Sequence, residues 1–170
     1  MELTNTITSS QDGRVTFTFI NTESYKQFNN IIQAYGILFN EKGEVLLGKR
    51  KWDDEFPYLL PGGTIEEGET PEQTLHREAM EEVDVEIENM VLLGAQHCEF
   101  IDTPERLPMI QLRYCATIKK VHSSTPDPDQ GNIWERVFVK PEKMNDLLQW
   151  GPIGDHLAKR AKEWYLKHNF

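Results

Sequence analysis

Residues 62–85 read GGTIEEGETPEQTLHREAMEEVDV and combine a glycine turn, an acidic loop and a helix with an acidic face. The start of this helix is well marked. Thr70 is a favourable N-cap, Pro71 suits the first helical position, and Gln73 stands three residues after the cap, as in a capping box. Neither proline nor glycine interrupts the residues that follow, so the pattern predicts one helix over 71–83.

The predicted helix has an apolar side and an acidic side. Its apolar residues recur every four positions, as in a buried stripe, at Leu75, Ala79 and Val83. Glu78, Glu81 and Glu82 stand at i, i+3 and i+4, so their carboxylates project from one side of the helix. Like charges at this spacing repel each other by roughly 0.2–0.5 kcal/mol per pair on an isolated helix. The chain therefore either exposes these carboxylates to water, as a solvated acidic helix does, or places them around a cation.

These carboxylates are suited to a hard divalent cation. Mg²⁺ takes carboxylate oxygens, keeps several waters and shares the phosphates of a substrate. Glu69 precedes the helix and could reach the same ion from the loop. Arg77 could pair with a carboxylate and fix its orientation. If the carboxylates surround a cation instead of facing water, a hard divalent ion such as Mg²⁺ suits them.

The same stretch resembles the Nudix box, whose pattern is G-x5-E-x7-R-E-U-x-E-E-x-G-U, where U is a bulky aliphatic residue. The fixed spacing joins five charged or acidic identities, which makes the resemblance specific. The residues before it, LLPG at 59–62, also resemble the usual lead-in of the family. The positions that follow the pattern are Gly63, Glu69, Arg77, Glu78, Ala79, Glu81, Glu82 and Val85.

Two positions depart from the family pattern. Ala79 is smaller than the usual aliphatic residue, and Asp84 stands where the family has glycine. That glycine ends the helix with a positive φ, which Asp tolerates better than most residues do, though less well than Gly. We therefore expect Asp84 to affect the local turn and its stability more than the chemistry.

The composition is that of an ordinary globular chain with an acidic balance. It has 170 residues, of which 38% are hydrophobic and 27% charged, enough for one domain with a sizeable core. The net charge of −10 argues against binding long nucleic acid through a basic surface, although a bound metal can make the local field favourable for a single nucleotide. With no membrane-length apolar run and no leader pattern, a cytoplasmic protein is expected.

The cysteine and histidine residues point to no further chemistry. Cys98 and Cys115 are expected to be free thiols, because nothing indicates a disulfide framework. The sequence has no CxxC pair, and His97 lies next to Cys98 instead of at zinc-site spacing. A zinc site or a Cys/His nucleophile is therefore disfavoured.

The rest of the chain reads as strands that flank the box helix, followed by helices. Residues 1–10 are a loose segment or an edge strand, 21–30 a short helix or a loop, and 122–132 a polar loop unlikely to enter a core. Strands are predicted at 14–20, 31–39, 44–50, 58–60, 85–99, 109–121 and 133–139, and two more helices at 141–150 and 153–167, separated by Gly151-Pro152. This order predicts one α/β domain over 1–170, an α/β/α sandwich around a mixed β-sheet. The resemblance implies the same Nudix fold.

A cationic cluster precedes the glycine turn and is a candidate for substrate binding. Lys49, Arg50 and Lys51 end a predicted hairpin strand and could meet phosphates, and Trp52 could stack on a ring or line a cleft. The alternative is a solvated strand end with a half-buried Trp. For Tyr25 and Phe28, two interpretations are likewise open, base stacking or core packing, and packing is favoured.

The resemblance implies a hydrolase that cleaves the pyrophosphate bond of a nucleoside diphosphate linked to another group. It implies Glu78, Glu81 and Glu82 as metal ligands, the Gly63 carbonyl as a further ligand, Glu69 as an outer ligand and Arg77 as the residue that orients a carboxylate. In some relatives a general base lies outside the box, and the candidates here are Glu99, Asp102 and Glu105. The implied partner is a small-molecule phosphoanhydride, and a homodimer is plausible.

Two other functions share this scaffold. One is a Nudix-fold module that senses a nucleotide without cleaving it, and the other is a different enzyme such as an isoprenoid diphosphate isomerase. Sensing modules often lose box carboxylates or carry a DNA-binding domain. The acidic box positions are intact here and little chain remains for a second domain, which favours the hydrolase.

Overall fold

The structure is a computed structural model that describes residues 2–168 of the chain. Its strands are β1 (Glu2–Ser9), β2 (Gly13–Asn21), β3 (Ile31–Phe39), β4 (Val45–Lys49), β5 (Tyr58–Leu59), β6 (Gly62–Thr64), β7 (Val85–Phe100), β8 (Met109–Val121) and β9 (Glu135–Val139). Its helices are α1 (Pro71–Val83), α2 (Pro141–Leu148) and α3 (Gly151–His168). No helix within the described residues is long and apolar enough to cross a membrane.

The strands form one mixed sheet in the order β1-β2-β7-β8-β3-β4-β5, with β6 paired to β3 and β9 paired to β4. The β3–β8 pair is parallel, and the other pairs are antiparallel. β3 has two partners on its second side. Tyr35 pairs with Gly62 of β6, whereas Phe39, nearer the end of the strand, pairs with Val45 of β4. Because β4 pairs only with the end of β3, the earlier part of β3 pairs with β6, and the glycine turn before α1 lies alongside it.

Helices cover both faces of the sheet, which confirms the predicted α/β/α sandwich. Because side chains alternate along a strand, Ala34 and Leu38 of β3 pack in the core under α1. Ile37 and Phe39 belong to the core on the other face, together with Met144 of α2 and residues of α3. Both faces are thus apolar where helices cover them.

Helix α1 follows the predicted boundaries because its local signals agree. The Thr70 hydroxyl accepts a hydrogen bond from the Gln73 backbone at 3.1 Å, and the Gln73 side chain accepts one from the Thr70 backbone at 2.9 Å. The apolar stripe of Leu75, Ala79 and Val83 is fully buried. The helix is therefore fixed at its start by the capping box and along its length by the core.

Several elements differ from the predictions. β6 was not predicted, because a glycine-rich segment has low strand propensity that pairing with β3 overrides. Gly151 and Pro152 begin α3 instead of only separating two helices, since proline is tolerated in the first turn. Asn21 ends β2 and residues 22–30 form a loop without a helix. The predicted segment 1–10 contains the edge strand β1, with Met1 outside the described residues.

The prediction that 122–132 stays away from the core is wrong at Asp127. This residue is only 7% exposed, and its Oδ2 accepts a hydrogen bond from Trp134 Nε1 at 3.2 Å. Trp134 is buried as well, and it precedes β9 instead of lying within it. The buried indole needs an acceptor, which the loop supplies by turning inward.

Asp84 ends α1 in the left-handed conformation, with φ 52° and ψ 46°. Its carboxylate is buried and accepts hydrogen bonds from Thr125, 2.9 Å from the backbone nitrogen and 2.5 Å from the hydroxyl. The side chain that replaces the usual glycine therefore ties the loop after β8 to the end of α1. Cys98 and Cys115 are buried free thiols, as expected.

We predict that Asp84→Gly lowers the free energy of unfolding by about 1–3 kcal/mol, because two charge-assisted hydrogen bonds are lost for a smaller gain in backbone freedom. Urea unfolding at neutral pH measures this. The matched control is Gln149→Gly at the end of α2, where φ is 56° and no side-chain hydrogen bond anchors the residue in the described structure. We expect that substitution to be neutral or stabilising. Stabilisation by Gly at both positions would contradict the anchoring role of Asp84.

Candidate metal and phosphate site

The acidic side of α1 lies against β6, and two of its carboxylates meet the glycine backbone there. Glu82 is 9% exposed, and its Oε2 accepts a hydrogen bond from the Gly62 nitrogen at 3.0 Å. Glu78 approaches Gly63 so closely that a Cβ atom on Gly63 would lie 2.4 Å from Glu78 Oε1. A side chain at Gly63 would therefore displace the Glu78 carboxylate.

Burial perturbs both carboxylates in the same direction. Desolvation raises the pKa of Glu82 well above its usual value, and the nearby Glu78 raises it further. The pKa of Glu78 is raised mainly by burial as well, against the lowering effect of Arg77. Asp127 adds negative potential at both groups. A cation at this place would offset the cost of keeping the carboxylates charged.

Arg77 joins the remaining box acids. Its Nε donates to Glu69 Oε1 at 2.8 Å, and its Nη1 donates to Glu78 Oε1 at 2.9 Å and to Glu81 Oε2 at 3.1 Å. Its Nη2 also reaches the Thr64 carbonyl at 3.1 Å. The hydrogen bond from Arg77, helped by the Thr74 hydroxyl, lowers the pKa of Glu69 to about 2. The guanidinium thus gathers three carboxylates that come from the loop and from α1.

The donor set fits a hard divalent cation. The groups beside β6 are carboxylate and backbone oxygens, which Mg²⁺ and Mn²⁺ prefer, and residues 62–85 contain no cysteine. Within residues 2–168, no three His, Cys, Asp or Glu side chains are already converged as a metal cluster. Arg77 instead neutralises Glu78 and Glu81. A cation would therefore compete with this guanidinium for the two carboxylates.

Asp127 is the acidic neighbour that sequence reasoning missed. It comes from the loop before β9, far along the chain from α1, and it is held by the indole of Trp134. Its carboxylate also accepts hydrogen bonds from the backbone of the same loop, including Asp129 at 2.8 Å. One signal could have found it, because a buried Trp requires an acceptor and the preceding loop contains two aspartates.

The residues of the cationic cluster before the glycine turn lie in different environments. Arg50 is partly buried, pairs with Asp53, and donates from Nη2 to the Phe56 carbonyl at 3.0 Å. Its positive charge also lowers the pKa of Glu82, so Arg50 lies within electrostatic range of the box. Lys51 is exposed and lies 3.2 Å from a carboxylate oxygen of Glu135. Arg50 holds its own loop in place, whereas Lys51 is accessible to a ligand.

Trp52 is 41% exposed, and its ring meets the buried Trp134 ring edge to face at 6.0 Å. Trp134 in turn lies 5.8 Å from the Arg50 guanidinium. The two indoles therefore connect the cationic loop with the loop that carries Asp127. Part of the Trp52 side chain remains exposed to solvent.

The acids proposed as bases outside the box are placed elsewhere. Asp102 forms a hydrogen-bonded ion pair with Arg14 at 2.6 Å, next to the β1–β2 turn. Glu99 and Glu105 are exposed. No hydrogen bond or ion pair within the described chain connects any of the three with the box. Tyr25 and Phe28 pack against the core under α1, as favoured from the sequence, and Tyr25 also donates to Glu72.

We predict that Gly63→Ala lowers the free energy of unfolding by about 1–3 kcal/mol, because the new methyl group overlaps the Glu78 carboxylate. Gly63 does not have a positive φ, so alanine suits its backbone. The same substitution in a Glu78→Ala background should cost less than about 0.5 kcal/mol, since the overlap is gone. Urea unfolding of the four proteins measures the coupling. An equal cost in both backgrounds would show that Glu78 does not restrict Gly63.

Comparisons with known proteins agree with this architecture. The model of the NUDIX domain matches residues 30–162. The 8-oxo-dGTP diphosphatase of Escherichia coli (strain K12) is 41% identical over 71 residues, which are 41% of this chain and 55% of that protein. The RNA pyrophosphohydrolase of Psychromonas ingrahamii is 36% identical over 89 residues, 52% of this chain and 45% of that protein. The chain thus spans about half the length of these curated relatives.

A pyrophosphohydrolase from Bacillus subtilis has the same fold. Its crystal structure superposes with a TM-score of 0.63, covers 97% of each chain and is 16% identical in sequence. At that identity the likeness concerns the fold alone. The domain match, which extends over most of the chain, carries the assignment. This chain belongs to the Nudix family.

Proposed function

We propose that the protein is a divalent-metal-dependent hydrolase that cleaves the pyrophosphate bond of a nucleoside diphosphate linked to another group. The observation that carries the proposal is a pair of carboxylates, those of the buried Glu82 and the half-buried Glu78, held against the glycine backbone of β6. A fold that keeps two desolvated acids together gains by binding a cation. The names of the matched relatives, a diphosphatase and a pyrophosphohydrolase, support the same reaction.

The proposed enzyme is one domain over 1–170 that works in the cytoplasm on a small-molecule phosphoanhydride. The β1–β2 hairpin lies before the matched region 30–162 and continues the same sheet through β7, so we include it in the domain. Cleavage of a diphosphate needs positive charge, because the substrate repels an incoming nucleophile. We therefore propose that Mg²⁺ or Mn²⁺ is required.

We assign the metal to the Gly63 carbonyl and to the carboxylates of Glu78, Glu81 and Glu82. When bound there, the ion supplies charge neutralisation, polarises a phosphoryl oxygen and lowers the pKa of water. Glu82 is oriented by the Gly62 N–H, which leaves its other oxygen for a ligand. Glu78 or Glu82 would polarise the attacking water through that ion.

Arg77 and Glu69 act as positioning residues in this proposal. The ion pair between Arg77 Nε and Glu69 Oε1, at 2.8 Å, fixes the guanidinium beside the box. From there Arg77 orients the carboxylates of Glu78 and Glu81, which would exchange this ion pair for the cation when it binds. Glu69 also stays close enough to serve as an outer ligand. Asp127 adds negative potential from the opposite loop, which strengthens the attraction for a cation.

Substrate binding is assigned to Arg50, Lys51 and Trp52. Lys51 is exposed and can exchange its partner Glu135 for a phosphate oxygen. Arg50 faces Glu82 electrostatically and retains a buried Nε–H without an acceptor in the described structure. Trp52 presents an exposed aromatic surface beside them. Together they put cations and a ring at the edge of the acidic site.

A module that binds a nucleotide without cleaving it is the alternative. Such a module has no need to keep Glu78 and Glu82 ionised at the cost of their burial. The two functions are separated by chromatographic assay of the nucleotide products formed from nucleoside triphosphates, nucleotide sugars and dinucleoside polyphosphates with Mg²⁺, Mn²⁺ or a chelator. Cleavage that stops in chelator supports the hydrolase, and thermal stabilisation without cleavage across the panel supports the module.

We predict that Glu81→Gln and Glu82→Gln each lower kcat by at least about 100-fold, since charge stabilisation by a bound metal contributes several kcal/mol to phosphoryl transfer. The fold should remain intact, because each glutamine keeps the size of the side chain. Turnover at saturating Mg²⁺ and the circular dichroism spectrum measure the two effects.

Glu67→Gln is the matched control for this pair. Glu67 is an exposed acid of the same loop and has no hydrogen bond or ion pair recorded within the described residues. Its substitution removes the same charge near the box and should leave kcat within about twofold, as an exposed charge has little effect. Wild-type turnover by either box variant would remove that residue from the metal site.

We predict that Lys51→Ala raises KM about fivefold without changing the melting temperature, because an exposed ion pair contributes up to roughly 1 kcal/mol. Arg50→Ala should instead lower the free energy of unfolding by about 1–3 kcal/mol, since Arg50 holds Asp53 and the Phe56 carbonyl. Lys42→Ala, in the exposed turn after β3, is the control for a lost lysine. An unchanged KM in Lys51→Ala would limit Lys51 to its contact with Glu135.

A further inference from the structure

The loop of residues 50–57, which carries the proposed substrate-binding residues, is bonded within itself and stands on a short stem. It connects β4 to β5, and the stem consists of two residue pairs at the ends of these strands. Within the loop, Asp53 Oδ1 accepts hydrogen bonds from the Glu55 nitrogen at 3.1 Å and from the Phe56 nitrogen at 2.9 Å. Arg50 pairs with Asp53 on the other side. Because these contacts are internal, they fix the shape of the loop but not its orientation on the stem.

Two polar contacts with other parts of the chain hold that orientation. Among residues 2–168, hydrogen bonds and ion pairs join the 50–57 loop to Glu135 of β9, through Lys51, and to Ser10 of the β1–β2 turn, through Glu55. The Ser10 backbone nitrogen donates to Glu55 Oε1 at 2.8 Å, and the Ser10 hydroxyl donates to Glu55 Oε2 at 2.5 Å. One residue of the turn thus binds both oxygens of the carboxylate.

The β1–β2 turn is itself fixed from its other side. Asp12 pairs with Arg106 at 2.5 Å, and the Arg14 backbone nitrogen donates to Asp102 Oδ2 at 2.8 Å, in addition to the ion pair between the two side chains. These contacts join the turn to the loop between β7 and β8. The turn therefore offers a fixed point to the 50–57 loop.

Packing does little to replace the hydrogen bonds to Glu55. A cavity of about 350 Å³ lies between the turn and the 50–57 loop, and its lining includes Ser10, Glu55, Phe56 and Trp150. The loop is thus not closely packed against the turn at this place. Ser10 and Glu55 are also exposed, so their contact contributes little to the stability of the whole domain. Its effect is local to the loop.

Substrate binding makes this contact more important. In the proposed function Lys51 exchanges Glu135 for a phosphate oxygen, so the loop gives up its polar contact on the β9 side when a substrate enters. On that side the ring contact between Trp52 and Trp134 remains, at 6.0 Å. The hydrogen bonds from the β1–β2 turn do not involve Lys51 and persist. A loop that is already ordered loses less entropy on binding and therefore binds more tightly.

We propose that Ser10 and Glu55 are positioning residues for substrate binding, which hold the 50–57 loop in the orientation in which Lys51 meets the phosphates. This inference rests on the proposed function. Neither residue touches the substrate, and both act through the loop. The β1–β2 hairpin thereby has a role in substrate binding, although it lies before residues 30–162, which match the domain.

The test compares Glu55→Ala with Asp54→Ala in steady-state kinetics at saturating Mg²⁺, on a nucleotide that the wild-type protein cleaves. We expect Glu55→Ala to raise KM about threefold or more and to keep kcat within about twofold, because hydrogen bonds to a charged group are lost away from the reacting atoms. Asp54 is an exposed acid of the same loop whose side chain forms no hydrogen bond or ion pair in the described structure. Asp54→Ala should leave KM unchanged or lower it, since removing a negative charge favours an anionic substrate.

Three further measurements separate positioning from a general structural role. Ser10→Ala should raise KM about twofold, and Ser10→Thr, which keeps the hydroxyl, should restore the wild-type value. The melting temperatures of these variants should stay within about 2 °C of the wild type, because the contact is exposed. Amide hydrogen exchange in residues 50–57, measured without ligand, should be faster in Glu55→Ala than in the wild type or in Asp54→Ala.

An unchanged KM in Glu55→Ala, an equal rise in Asp54→Ala, or unchanged amide exchange would each overturn the inference. Wild-type cleavage together with an unchanged KM in Glu55→Ala would reject only the positioning role. If the wild-type protein cleaves no nucleotide, the proposed function fails, and the affinity for imidodiphosphate, a pyrophosphate analogue that resists hydrolysis, is measured with Mg²⁺ instead. Weaker binding by Glu55→Ala than by Asp54→Ala would then support the positioning role, and equal binding would overturn it.

Discussion

The packing of two carboxylates against a glycine backbone is the constraint on which the rest of the site depends. Glu82 binds the Gly62 nitrogen, and Glu78 occupies the space that a side chain on Gly63 would need. This contact requires α1 and β6 to keep a fixed spacing. Pairing of β6 with β3 sets one side of that spacing, and the buried stripe of α1 sets the other. The apolar core thus holds together charges that would otherwise separate.

The electrostatic balance of the site follows from this packing. Desolvation and repulsion from neighbouring acids raise the pKa of Glu78 and Glu82, while Arg77 lowers that of Glu78 and Arg50 that of Glu82. Asp127 is brought in by the indole of Trp134 and makes the site more negative. The cationic side chains of the protein therefore neutralise the negative charge of these carboxylates only in part. A doubly charged ion placed among them would complete the compensation, which is the physical reason for proposing a metal here.

The sequence predicted what local chemistry determines. The capping box and the four-residue stripe placed α1 at its observed bounds, and the strands predicted at 31–39 and 109–121 match β3 and β8. Gly62 carries no strand signal, and β6 exists because β3 offers it a partner. The burial of Asp127 could not be derived from its polar loop alone, since it depends on where Trp134 packs. The assigned roles of the box residues in catalysis remain predictions.

The burial of Arg113 could not be predicted from the sequence either, although it lies in a correctly predicted strand. The alternation in β8 puts Gln111, Arg113 and Cys115 on one face, but it does not say what covers that face. The cover over Arg113 comes from Trp150 at the junction of α2 and α3 and from Tyr35 of β3. The proposed metal ligands of the box lie in one contiguous stretch, whereas the surroundings of Arg113 consist of residues that only the fold assembles.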